Sequence, residues 1–304
     1  MCIKNHHNFA VIGHPIGHTM SPFIHERLFQ LSQTSQASYI VMDIRPEELA
    51  DKMPLLRELE GFNITIPHKQ AIIPLLDRCS PQAAAFGSVN TVHTQNGIST
   101  GYTTDGIGCL KALEACGISP VGTCLMLGSG GAARAIAFAL TDVCSHPQIT
   151  FAVREGSMEK ARSLCSSLAD YALRQNKTGE YSVIGYQELE NLSASPNSSL
   201  FFDLLLNCTS VGMYPKTTDS PVSKAVIARC GAVFDAVYNP HETKLLKTAQ
   251  ELGIPVIHGM AMLVWQAVAA HQIWDGSEYR LDDIQQLIED AAAEMQRRFQ
   301  EGQP

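Results

Sequence analysis

The stretch Thr123-Cys124-Leu125-Met126-Leu127-Gly128-Ser129-Gly130-Gly131-Ala132-Ala133-Arg134 decides how the fold is read. Its first five residues make an apolar run of strand length, and the small residues after the glycines read as a helix. Between them lies a G-x-G-x-x-G/A pattern, with alanine in the third place. A strand before and a helix after is the context that turns this pattern into a dinucleotide-binding loop. The first glycine allows the tight turn, the second lets backbone approach a pyrophosphate, and the small third residue lets helix pack on strand. Open amides at the helix start then favour phosphate charge. A glycine-rich turn serving only packing is the alternative.

Reading outward, residues 149–153 form the next strand, followed by Arg154 and Glu155, where such folds read the adenosine ribose. Arginine suits a 2′-phosphate, whereas a carboxylate suits the two hydroxyls of NAD. The reading leans to NADP, with NAD as the alternative. Residues 199–206 and 232–237 supply further buried strands, while 174–182 and 193–199 read as surface loops. The first third of the chain alternates as well: a strand at 9–13, a helix opening at Ser21-Pro22 with serine as N-cap, and a strand at 39–44. A helix at 46–59 and a strand at 62–66, stopped by Pro67, follow. The last third is helical. Residues 260–274 are apolar nearly all round, hence a buried helix. Leu281, Ile284, Ile288, Ala291, Met295 and Phe299 recur at spacings of three to four, an amphipathic helix. Such alternation specifies an α/β protein with a mostly parallel sheet in each half.

Composition agrees. The 304 residues are 45% hydrophobic and only 17% charged, which excludes extended disorder and points to sheets covered on both faces. A net charge of −8 offers no basic surface for nucleic acid. No apolar run is long enough to span a membrane, and the N-terminal segment lacks an apolar signal core. The nine cysteines, among them Cys2, are odd in number and show no CxxC spacing, so they read as buried thiols of a cytoplasmic protein rather than disulfides or zinc ligands. The eleven histidines, His6, His14, His18, His25 and His68 among them, show no ligand spacing, and no metal is expected.

Several polar residues do not fit a bland buried strand. In Asn63-Ile64-Thr65-Ile66-Pro67-His68-Lys69, a period of two puts Asn63 and Thr65 on one face, and buried polar groups need partners in protein or ligand. Lys69 follows at the strand end, where parallel α/β sheets place ligands. Ser88-Val89-Asn90-Thr91 and Thr103-Thr104-Asp105-Gly106 form a second set, with turn formation as the competing account of the latter. Thr19 and Ser21 set hydroxyls beside a helix N-terminus, a cradle for a carboxylate or simply a cap. Gln266 sits inside the apolar helix, where a buried amide needs a partner.

Taken together, these segments resemble the shikimate dehydrogenase family, including its quinate/shikimate branch. The resemblance runs over nearly the whole chain. It rests on residues 12–22 (IGHPIGHTMSP), 63–69 (NITIPHK), 88–91 (SVNT), 104–106 (TDG), 128–134 (GSGGAAR), 207–213 (NCTSVGM), 235–240 (DAVYNP) and the Gly259, Met262, Gln266 frame. It implies reversible NADP- or NAD-linked interconversion of shikimate and 3-dehydroshikimate, with quinate as a related substrate. It also implies Lys69 and Asp105 as the catalytic pair, Thr19 and Ser21 at the substrate carboxylate, and Asn63, Thr65, Asn90, Asp105 and Gln266 at ring hydroxyls. Tyr238 would line the substrate pocket. Gly128, Ser129, Gly130, Gly131 and Ala132 would hold the pyrophosphate, with Arg154, Thr209, Gly259 and Met262 elsewhere along the cofactor. The expected division is a substrate domain (1–105), a Rossmann dinucleotide domain (106–258) and C-terminal helices (259–304) that return to the first domain, with the cleft between domains. A monomer or homodimer is expected, and a non-catalytic sensor of the same fold is the competing class. Thr19 stands where the family usually has serine, Thr103 where it usually has asparagine, and Glu155 interrupts an Asn-Arg-Thr stretch common in NADP-using members.

Overall fold

The computed structural model describes residues 7–17, 19–34, 36–119 and 122–300, so Cys2, His6, His18 and the Phe299 side chain fall outside it. The chain divides into two compact units, residues 1–105 with 263–293, and residues 106–262 with 294–304.

The first unit is built on a six-stranded sheet in the order β2-β1-β3-β5-β6-β4. Its strands are β1 (His7–Gly13), β2 (Ala37–Asp43), β3 (Gly61–Ile64), β4 (Arg78–Cys79), β5 (Thr91–Gln95) and β6 (Ile98–Tyr102). β1 pairs with β2 and β3 in parallel, β5 runs antiparallel to both β3 and β6, and β4 is parallel to β6. Alternation along β1 splits the core. Phe9 points to one face, where Phe29, Ala270 and Trp274 cover it. Ala10 and Ile12 point to the other, under Leu49, Met53 and Leu56 with Phe62 and Ile64 beside them. On the first face the Trp274 indole donates to the Val92 carbonyl at 2.9 Å, tying residues 263–293 to the sheet.

The β5–β6 hairpin is not anticipated from the apolar pattern. Its tip is Asn96-Gly97, with φ of 53° and 77°, the two left-handed residues of a tight hairpin turn. This reversal makes the first sheet mixed rather than uniformly parallel.

Other boundaries move for identifiable reasons. Ser21 is not the N-cap: Met20 takes that place, and the helix Ser21–Leu31 starts at the serine, whose amide donates to Thr19 Oγ1 at 3.2 Å. The stretch 46–59 splits into a 3₁₀ turn, Pro46–Glu48, and the helix Leu49–Leu56. β3 ends at Ile64, whose amide donates to the Asn90 carbonyl, while the next amide, that of Thr65, donates to the Ile12 carbonyl of β1. Thr65 therefore lies beyond the strand that holds Asn63.

The second unit carries an all-parallel sheet in the order β12-β11-β10-β7-β8-β9. Its strands are β7 (Thr123–Leu127), β8 (Gln148–Val153), β9 (Glu180–Gly185), β10 (Leu204–Asn207), β11 (Val233–Asp235) and β12 (Val256–His258). Counted within the unit this is the 3-2-1-4-5-6 order of a dinucleotide-binding fold, with its switch point between β7 and β10. β9 occupies the end of a stretch read as loop, since an edge strand alternating exposed and half-buried residues carries little apolar signal. β10 is shorter than expected, and Phe202 makes only an isolated bridge to Cys230.

The helix Gly259–Trp274 is buried along most of its length, but Leu281, at the start of Leu281–Gln300, is 73% exposed and belongs to no apolar stripe. The eight described cysteines are all free. Cys109, Cys124, Cys144 and Cys230 are buried as expected, whereas Cys116 is exposed and Cys79, Cys165 and Cys208 lie between. Among the described residues no helix is long and apolar enough to cross a membrane, and no metal-ligating cluster is present.

Candidate active site

In the first unit the polar residues gather at the C-terminal ends of β1, β3 and β6 and the start of β5. β3 runs into Pro67 and the short helix His68–Ala71, which carries Lys69. β5 is entered through Ser88-Val89-Asn90, and β6 leaves through Thr103-Thr104 into the helix Asp105–Ala115. Because β5 and β6 form a hairpin, Asn90 and Asp105 return to the same end of the sheet.

Lys69 Nζ donates to both oxygens of Asp105, at 2.9 and 2.6 Å. The Asp105 side chain is 1% exposed and that of Lys69 is 14%. The ammonium is thus the reachable member of the pair, and the carboxylate is its buried anchor. Asn90 fixes the carboxylate from the other side. Its Oδ1 accepts the Thr104 backbone N–H at 2.7 Å, which sets the orientation of the amide. Its Nδ2 then donates to Asp105 Oδ1 at 3.1 Å and to Thr104 Oγ1 at 2.9 Å.

Asn63 faces Thr91 across the β3–β5 pair. Its Nδ2 donates to Thr91 Oγ1 at 3.1 Å and to the Asn90 carbonyl at 3.3 Å, and the Tyr39 phenol donates to its Oδ1 at 2.7 Å. Thr19 Oγ1 donates to Ser21 Oγ at 3.0 Å. The structure therefore joins Lys69, Asp105, Asn90 and Asn63 in one network and pairs Thr19 with Ser21. Gln266 is half-buried rather than buried, and its amide makes no hydrogen bond among the described residues. Tyr39 is the partner that sequence reasoning missed, whereas Thr91 and Thr104 stand in the polar stretches it singled out, without an assigned role. The available signal for Tyr39 was an inward position on a strand carrying a polar tip.

In the second unit, β7 passes through Gly128, Ser129 and Gly130 into the helix Gly131–Val143, the order expected. Gly128 has φ +91°, and a Cβ there would lie 2.9 Å from Thr209 Cγ2. Thr209 is held by Asn207, whose Oδ1 accepts its amide at 3.0 Å and its hydroxyl at 2.7 Å. No side chain caps the helix at Gly130, so the amides of Gly131 and Ala132 stay open over the loop. Those donors and the small residues around them fit the pyrophosphate of a dinucleotide. Arg154 and Glu155 are exposed directly after β8. Gly259 sits where a Cβ would come within 2.7 Å of the Asp235 and Ala236 carbonyls, Met262 is buried, and Tyr238 is half-buried beyond β11.

Below Tyr238 lies a buried polar cluster. Asp235 receives Asn207 Nδ2 at 2.9 Å, the Val237 amide at 3.0 Å and the Thr243 hydroxyl at 2.6 Å. Burial nonetheless outweighs these donors and lifts its carboxyl to about 6.

Residues 11–92 match the model of the shikimate dehydrogenase substrate binding domain. The chain is 40% identical to a shikimate dehydrogenase (NADP(+)) of Streptococcus pneumoniae, over 92% of this chain and 95% of that one. This chain belongs to the shikimate dehydrogenase family. A second member, shikimate dehydrogenase (NADP(+)) of Moorella thermoacetica, is 36% identical over 93% of this chain and 92% of its own. Among solved structures, a shikimate 5-dehydrogenase from Thermus thermophilus in complex with NADP(H) and shikimate superposes with a TM-score of 0.78. It is 31% identical, covering 93% of this chain and 99% of that one.

Proposed function

We propose that this protein is an NADP-linked shikimate dehydrogenase, an oxidoreductase interconverting the 3-hydroxyl of shikimate and the ketone of 3-dehydroshikimate. The observation that carries the reading is the buried Lys69–Asp105 pair locked by Asn90 at the sheet's C-terminal end.

Reducing a ketone to an alcohol requires a hydride at carbon and a proton at oxygen. NADP, held at the Gly128–Ala132 loop, supplies the hydride when bound. The chain's own residues manage the oxygen. An ammonium carries three N–H donors, and Asp105 takes up two of them, which leaves one to meet a substrate oxygen. Lys69 so directed stabilises charge developing on that oxygen and sits where a proton is exchanged with it. Asp105 keeps the ammonium aimed. Asn63, Thr65, Asn90 and Gln266 serve the ring hydroxyls. Thr19 and Ser21 present hydroxyls to the carboxylate. Arg154 would meet the 2′-phosphate when the cofactor is bound, and Thr209, Gly259 and Met262 would hold the rest of it. A sensor of the same fold needs none of the Lys69–Asp105–Asn90 locking.

The test is spectrophotometric: shikimate and quinate, each with NADP and with NAD, followed at the reduced-nicotinamide absorbance. Reduction of NADP by shikimate is the expected outcome. Cofactor binding without turnover on either polyol would overturn the reading. Faster turnover with NAD would assign the exposed Glu155, rather than Arg154, the deciding role at the ribose.

A further inference from the structure

Tyr39 is the residue in the first unit whose arrangement the proposed chemistry does not yet use. It lies on β2 in register with Phe9 and, through β1, with Gly61, so its side chain shares the sheet face of Asn63. Its ring is clamped from one side. The His25 imidazole stacks on it at 4.0 Å with planes 9° apart, and His25 Nδ1 lies 3.0 Å from His271 Nε2. His271 Nδ1 in turn lies 2.7 Å from the Tyr279 hydroxyl. Burial holds the phenol well above its ordinary range, so it stays a hydroxyl with a proton to give.

Where that proton goes follows from fixed backbone groups. The Asn90 carbonyl can only accept, so the Asn63 atom facing it at 3.3 Å is Nδ2. Oδ1 then faces Tyr39, and the phenol must be the donor in the 2.7 Å contact. Both Nδ2 protons of Asn63 are committed to protein, and the second lone pair of Oδ1 is what it has left to offer.

We infer that Tyr39 is a positioning residue whose phenol, by donating to Asn63 Oδ1, fixes Asn63 as a hydrogen-bond acceptor for a substrate hydroxyl. The inference rests on the proposed substrate reading. It adds a chemical restriction: the group Asn63 meets must donate, so it is a ring hydroxyl that persists through the reaction. The reacting oxygen cannot serve, because as a ketone it has no proton.

Tyr39→Phe tests this, since it keeps the ring and its stack on His25 while removing one hydroxyl. The expected result is a shikimate KM raised about tenfold, with kcat and the NADP KM within about twofold of the parent. In an Asn63→Ala background the same substitution should have no further effect. An unchanged KM, or effects that multiply independently, would overturn the inference. If the parent protein turns over neither shikimate nor quinate, the activity reading has failed and the positioning claim is read separately, from the Asn63 side-chain amide in NMR, assigned by its loss in Asn63→Asp. Slow exchange of both Nδ2 protons in the parent, lost in Tyr39→Phe, supports the claim, and equal exchange in the two sinks it. Should Tyr39→Phe fail to fold, a shikimate titration of the parent decides: Nδ2 protons that keep their protein partners support the assignment, and Nδ2 protons that transfer to the ligand refute it.

Discussion

Lys69 Nζ bridges both oxygens of Asp105, at 2.9 and 2.6 Å, and only the lysine side of the pair is open. Truncation to Lys69→Ala removes the oxygen-facing donor, and kcat should fall by roughly 10²–10⁴-fold with a modest change in substrate KM. Asp105→Asn keeps the shape but releases the ammonium, and a kcat loss in the same range is expected. Steady-state kinetics on both variants decide; near-parental turnover in Lys69→Ala would remove the lysine from the chemistry.

Gly128 combines a φ of +91° with a 2.9 Å approach of Thr209 Cγ2 to the position of an added Cβ. Gly128→Ala should cost about 1–3 kcal/mol of stability. It should also raise the NADP KM while leaving the shikimate KM near its parental value, because Lys69, Asp105, Asn63 and Asn90 all lie in the other unit. Equal losses for both ligands would argue for general unfolding instead.

Adjacent threonines predict opposite outcomes. Thr103 Oγ1 is buried with no hydrogen-bond partner among the described residues, whereas Thr104 Oγ1 accepts from Asn90 Nδ2 at 2.9 Å. Thr103→Val should therefore leave the melting temperature unchanged or raise it. Thr104→Val should destabilise by roughly 1–3 kcal/mol by stranding the Asn90 donor. Calorimetric melts of the two proteins make the comparison.

The buried His271 has its imidazole pushed down to about 4 from an ordinary 6.5, chiefly by desolvation. Between those values the unfolded chain binds more protons than the folded one. The contribution of His271 is thus full above the higher value and drains away as pH falls toward the lower. Asp235 runs the other way, its carboxyl lifted from 3.8 to about 6, so its contribution is full below the lower value and lost as pH rises through the upper. Denaturant titrations across this window should show a flatter acid limb in His271→Gln than in the parent. An identical limb would place the acid sensitivity elsewhere.

The second sheet was largely legible in the sequence, because parallel strands buried on both faces appear as continuous apolar runs and the loop after β7 has a fixed glycine grammar. β9, at the sheet edge, was hidden for the same reason, having only one face to bury. In the first sheet the apolar pattern revealed β1, β2 and β3 but not the β5–β6 hairpin, whose residues are largely polar and small. The Asn96-Gly97 pair was its visible marker. Motif resemblance supplied roles for Lys69, Asp105, Asn63 and Asn90, included Thr91 and Thr104 without a role, and left Tyr39 out. Those three matter through hydrogen bonds to residues distant in sequence, and no local pattern carries such pairings. The expectation for Gln266 misread burial, since a helix apolar nearly all round can still leave one position half-open.

The β5–β6 hairpin works as a ruler. Asp105 lies fifteen positions after Asn90, and their meeting depends on Thr91 standing opposite Tyr102. Lengthening the tip beyond Gln95 and Ile98 leaves that alignment untouched. One residue added inside either strand would turn every later side chain over and carry the acid away from its amide. The turn is therefore a tolerant point for grafting a foreign peptide, while the ladder behind it admits no change of length.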